Sequence, residues 1–121
     1  MFRRRFLVSS LSLLGLKAVA APPPHEQTRI EKLIQYIENQ KGMKFIRNGS
    51  EYNCEEAGRF LRGKLDSMGE KVTTAREFIE HIGSRSSTSG KAYQVRFADG
   101  RIVPSAQFLH EELMRIEHRP G

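Results

Sequence analysis

The chain has a single cysteine, Cys54, among its 121 residues. One thiol excludes an intramolecular disulfide, so the fold must stand on its apolar core without covalent staples. Long hydrophobic runs are missing as well. The main apolar stretch, Phe6 to Leu16, covers eleven residues, where a membrane-spanning helix needs about 20. A large excess of one charge sign is also lacking. The whole chain carries +6, with 20 Lys and Arg against 14 Asp and Glu. Four of those bases, Arg3, Arg4, Arg5 and Lys17, lie in a segment read below as removable, which leaves 16 against 14. Opposite signs alternate in "RIEK" and "EEAGRFLRGK". That is a solvated helix surface and not a clustered basic face, so composition excludes nucleic acid as a partner.

Metal and cofactor signatures are missing too. His110 and His118 are eight apart and no H-E-x-x-H occurs. "HEEL", His110 to Leu113, reads as a solvated helix face. Glu55 and Glu56 stand at a helix start, where the dipole favours them without any acid–base role. No cofactor and no metal are expected.

What is present begins with "MFRRRFLVSSLSLLGLKAVAAPPP". Arg3 to Arg5 precede the apolar stretch, and the small-x-small Ala18-Val19-Ala20 follows it. This is the order of a cleavable secretory signal over residues 1–20. Arg3-Arg4-Arg5-Phe6-Leu7 also fits the twin-arginine pattern, and both export routes remain open. The expected location is the periplasm, with no membrane span after cleavage. Residues 21–121 then form one domain behind a short Pro-rich lead-in, enough chain to bury roughly two-thirds of its unfolded surface.

Along that domain, Thr28-x-x-Glu31 predicts a capping box for a first helix from about Glu26 to Gln40, stopped by Gly42. Ile30, Leu33, Ile34 and Ile37 give it an apolar stripe. Asn48-Gly49 predicts a type I′ hairpin turn, because both residues tolerate positive φ. Asn53-x-x-Glu56 is a second box, opening a helix whose apolar face is Ala57, Phe60, Leu61, Leu65 and Met68. Thr74-x-x-Glu77 is a third box, before a short helix of Ala75, Phe78, Ile79 and Ile82 that Gly83 ends in a left-handed conformation. Tyr93, Val95 and Phe97 alternate with polar residues as a half-buried strand. Asp99-Gly100 turns it back through Ile102-Val103, and a last helix carries Phe108, Leu109, Leu113 and Ile116. The predicted class is α+β: two helix–hairpin–helix halves around a small, mostly antiparallel sheet.

Two stretches invite chemistry. "GSRSSTSGKAY", Gly83 to Tyr93, looks like a phosphate loop, but such a loop needs G-x-x-x-x-G-K-[ST] between a strand and a helix. Arg85 stands where the first glycine belongs and Ala92 where the hydroxyl belongs, and the flanks are reversed. Two readings remain. In one, a long αβ connection is held by its own hydroxyls, with Ser86 or Ser87 bonding loop backbone and Tyr93 packed on the core. In the other, Arg85, Lys91 and the serines contact an anion or glycan. Cys54 at a helix start, with His81 or His110 as base and Asp99 as orienter, is a candidate nucleophile. Against that, Cys54 is three before Ala57 on the buried face, and free cysteine is commonly buried.

Three blocks carry a resemblance. They are Phe45 to Gly49 with Tyr52; Leu61, Arg62, Lys64 and Leu65; and Thr74, Ala75, Phe78 and Ile79, followed by Ser86, Ser87, Ser89, Gly90, Lys91, Tyr93 and Val95. With the export signal, they make the chain similar to the YfeK-like family of small exported bacterial proteins of unknown function, over nearly the whole domain. The resemblance implies an α+β fold in which the serine loop is a family feature. It transfers no activity, and Cys54 is not part of its pattern.

The functional expectation is a periplasmic, non-enzymatic domain that binds a periplasmic protein or cell-wall component. The expected surface is Arg47, Asn48, Arg85, Ser86, Ser87, Ser89 and Lys91. The alternatives are a Cys54-dependent cell-wall or peptide hydrolase, and an inhibitor or immunity-type protein acting on a wall enzyme. The oligomeric state stays open.

Overall fold

Proline opens the first helix. In the computed structural model, which describes residues 21–119, α1 runs from Pro24 to Glu38. The amides of Glu26 and Gln27 both donate to Pro23 O at 2.9 Å. Proline suits this place because its φ is preset and the N–H it lacks has no partner at a helix start. The Thr28–Glu31 capping box is therefore not formed. Thr28 lies inside the helix with Oγ1 donating to Pro24 O at 3.1 Å, and Glu31 is taken by Arg62 at 2.8 Å. The helix also stops sooner than Gln40, at Asn39, whose amide returns to Gln35 O. Gly42, at φ 73°, serves the next turn of chain instead. The export signal read over residues 1–20 lies outside the described residues.

The hairpin follows as predicted. β1 (Lys44–Arg47) and β2 (Ser50–Tyr52) pair with Arg47 opposite Ser50. Asn48 at φ 51° and Gly49 at φ 81° make the two-residue turn. Asn53 then caps α2 (Cys54–Met68) with both halves of its box, Asn53 Oδ1 accepting from Glu56 N at 2.8 Å and Glu56 Oε1 from Asn53 N at 2.9 Å. After a 3₁₀ turn, Thr74 caps α3 (Ala75–Phe78) by accepting from Glu77 N. The Glu77 carboxylate reaches Thr73 N and Oγ1, both at 2.7 Å, one residue short of a reciprocal box.

α3 widens into a single π-helical turn, Ile79–Gly83. Gly83 is not left-handed, so the expected glycine stop is corrected. Its lack of a side chain answers packing: a Cβ there would stand 2.8 Å from Leu109 Cδ1. β3 (Gln94–Arg96), β4 (Ile102–Pro104) and α4 (Ser105–Glu117) complete the chain.

The four strands form one antiparallel sheet in the order β2-β1-β3-β4, with Phe45 opposite Val95 at its centre. Each half contributes one hairpin. Burial repeats residue for residue between positions 41–50 and 91–100, so β1 and β3 occupy equivalent environments, while the return strands β2 and β4 differ. Side chains from all four helices and both inner strands meet in one core, including Leu33, Phe45, Leu61, Phe78, Val95 and Leu109. The α+β class stands. The buried stripe of α2 is rotated from the predicted one: it is Cys54, Ala57, Gly58, Leu61 and Lys64, while Phe60 and Leu65 are partly buried and Met68 is exposed.

Candidate functional site

Lysine on the buried stripe of α2 is the unexpected element. Lys64 is 8 % exposed. Its ammonium donates to Arg85 O at 2.8 Å, Tyr93 Oη at 3.0 Å and Ile82 O at 3.1 Å. All three protons are used, and two of them satisfy carbonyls left open at and after the π-turn. Burial, and secondarily the charge of Arg47, holds the Lys64 amine below the usual lysine range. Burial likewise pushes the Tyr93 phenol up.

Above Lys64 lies a cleft of about 430 Å³ between α2 and the serine loop. One wall carries Arg47, Arg59 and Phe60; the other carries Ser86, Ser87 and Thr88. The Arg47 guanidinium carbon sits over the Phe60 ring, 4.3 Å from its centre, and 5.3 Å from that of Tyr52. Phe60 in turn meets Tyr93 edge-on at 5.8 Å. Among the described residues no Asp or Glu lines the cleft, while Arg47 and Arg59 also border a smaller hollow lined by Glu56. A broader open groove of about 1040 Å³ runs between α1 and the end of α2, but its charges are of mixed sign and no buried polar group faces it.

The serine loop is ordered by its own atoms. Ser86 N donates to Lys91 O, Gly90 N returns to Ser86 O, and Arg85 bridges Ala92 as a minimal antiparallel pair. Gly90, at φ 75°, takes the left-handed position predicted for Gly83. Ser86 Oγ accepts from Thr88 N at 3.3 Å and Ser89 N at 3.2 Å, and Tyr93 is packed in the core. Ser87 makes no such bond; its hydroxyl reaches Met68 Sδ at 3.3 Å. Asn48 ties the first hairpin turn to this loop, donating to Ser86 Oγ at 3.5 Å and accepting from Ser89 Oγ.

Of the seven residues expected at the surface, Arg47, Ser86 and Ser87 line the cleft, and Asn48 and Ser89 bridge its two walls. Arg85 and Lys91 are exposed and do not line it. They occupy the two stems of the loop, where backbone pairing sets their place. Arg59, Phe60, Lys64 and Tyr93 were not expected there. Lys64 is three after Leu61 and seven after Ala57, a spacing that already places it on the buried face.

Cys54 does not have a nucleophile's surroundings. It is buried, its Sγ donates to Met43 O at 3.2 Å, and burial pushes the thiol up, the reverse of activation. The hollow beside it is lined by Glu38, Lys44, Asn53 and Glu55 among others, with no imidazole. His81 is exposed beside Glu80. Among the described residues no cluster of His, Cys, Asp and Glu could hold a metal, and no helix is long and apolar enough to cross a membrane.

The chain is 41% identical over 81 residues to the uncharacterized protein YfeK of Salmonella typhimurium, an alignment covering 67% of this chain and 68% of that relative. No solved structure matches. A family model described as a family of unknown function, DUF5329, matches residues 24–117, and the chain belongs to that family.

Proposed function

We propose that the protein is exported to the periplasm and acts there as a non-enzymatic binding domain, with the cleft between α2 and the serine loop as its site. The observation that carries the reading is the cleft's lining: guanidinium groups, aromatic rings and hydroxyls converge without a carboxylate. Buried polar groups at its floor are spent on one another, since Lys64 and Tyr93 are mutually bonded. They support a rigid receptor better than a proton-transfer pair. Export is supported by Arg3 to Arg5, the apolar stretch and Ala18-Val19-Ala20, all upstream of the family match that starts at residue 24.

Two measurements test this. Fractionation of the expressing bacterium should place the protein in the periplasm with a mass lacking residues 1–20; a full-length cytosolic species would overturn export. Capture from a periplasmic extract should differ between wild type and Gly63→Leu, which sets a side chain into the cleft. Identical captured material from the two folded proteins would remove the cleft as the site.

A further inference from the structure

Six of the ten arginines among the described residues are paired. Arg29, Arg62, Arg76, Arg96, Arg101 and Arg115 each lie within 4.0 Å of a carboxylate. Among the described residues Arg47, Arg59, Arg85 and Arg119 have no such partner, and of these four Arg47 and Arg59 line the cleft whose floor is the buried Lys64. Arg47 is positioned without a counter-ion by stacking on Phe60. Among the described residues its guanidinium N–H groups make no hydrogen bond, which leaves them free for a carboxylate or phosphate. Lys64 adds charge from below but no free proton, because its three donors are committed.

The serine loop and the end of α2 bring a different chemistry to the cleft. The Ser87 hydroxyl is spent on a thioether, a weak acceptor it can exchange for a better one. Ser67 Oγ donates to Gly63 O and Lys64 O, and its lone pairs remain available. Thr88 Oγ1 and Ser86 Oγ are hydrogen-bonded to each other at 3.1 Å. A volume of about 430 Å³ falls within the roughly 300–1,000 Å³ of small-ligand sites.

We propose that the cleft takes an acidic sugar, with the carboxylate or phosphate held by Arg47 and Arg59 and the ring hydroxyls facing Ser67, Ser87 and Thr88. The proposal rests on the cleft being the binding site and names the class of ligand it takes. Arg47 and Arg59 supply the charge recognition. Hydroxyl-to-hydroxyl bonds to Ser67, Ser87 and Thr88 select a polyol over a bare anion.

The test titrates the protein, purified from the bacterium that expresses it, with glucuronate, glucose 6-phosphate, glucose and inorganic phosphate, following backbone amide resonances. Glucuronate or glucose 6-phosphate should move the Phe60, Gly63 and Ser87 signals, and whichever binds tighter identifies the acid. Glucose and phosphate should each bind at least about tenfold more weakly than that ligand. Arg47→Gln and Arg59→Gln should each weaken it about tenfold or more, and Gly63→Leu should abolish it with the rest of the spectrum unchanged. Equal binding of phosphate alone would reveal an adventitious ion only and overturn the proposal. So would affinity that survives both arginine changes, or the absence of binding by either acid. If the acids fail while Gly63→Leu still loses captured periplasmic material, the cleft remains a site and the acidic sugar is wrong. If Gly63→Leu changes neither readout, the cleft itself is wrong.

Discussion

Ser86 and Ser87 are neighbours with the same side chain and opposite duties. Ser86 is 5 % exposed and its Oγ gathers the Thr88 and Ser89 amides. Ser87 is exposed and bonds only sulfur. Ser86→Ala should therefore lower stability by about 1–2 kcal/mol, since two amides lose a partly buried acceptor. Ser87→Ala should stay within about 0.5 kcal/mol of wild type. Urea midpoints of the two single variants check this, and equal midpoints would refute the division. That one of the pair would hold the loop was legible, because hydroxyls beside a turn glycine habitually bond local backbone. Which one was not, because the choice depends on the turn at Gly90 and on Asn48 arriving from a hairpin 38 residues away. Lys64 shows the opposite failure. Its spacing placed it on the buried face, but lysine is so seldom buried that the position reads as surface unless its three acceptors are known.

Within α2, two glycines answer to different neighbours. A Cβ at Gly58 would overlap the Glu38 carboxylate, which lies across that bare stretch of helix to meet Arg62. A Cβ at Gly63 would meet nothing within 4 Å and would stand in the cleft. Glycine inside a helix costs about 0.5–1 kcal/mol relative to alanine. Gly63→Ala should raise stability by about that amount, and Gly58→Ala should lower it by about 1–3 kcal/mol, as overpacking does. Thermal or urea unfolding of both variants reads the sign. Destabilisation by Gly63→Ala would mean that a fold constraint, not the open cleft, keeps that position bare. Elements with local causes were the legible ones. The Asn48-Gly49 turn and the Asn53–Glu56 box each need only residues within four of one another. The start of α1 was misread because Thr28 and Glu31 satisfy a local rule, while the outcome was decided by Pro24 and by Arg62 on another helix. The π-turn was misread for the same reason: Gly83 looks like a stop until Leu109 is packed against it.

Across the whole molecule, α1 is fastened at both ends by charges from elements distant in sequence. At its start, Glu26 Oε1 accepts from Ala75 N at 2.8 Å, and Glu117 of α4 lies near both Arg29 and Arg76. Further along, Arg62 grips Glu31 with two N–H···O bonds of 2.8 Å and Glu38 with two of 3.1 Å. Arg62 hydrogen bonds, outweighing a smaller opposing effect of burial, hold the Glu31 carboxyl below the usual carboxylate range. A carboxyl depressed in the folded state is protonated first in the unfolded chain as pH falls. Its contribution is therefore complete above the ordinary carboxylate value and is lost as pH falls from there through the folded value. The stability difference between wild type and Glu31→Gln should be constant near neutral pH and shrink on acidification through that window. It should also shrink with added salt, because the Glu31 side chain is 44% exposed and solvent screens the pair. Urea titrations of both proteins across the acid range measure it. A difference that does not change with pH would show that Glu31 acts by packing alone, and that the fastening of α1 to α2 owes nothing to its charge.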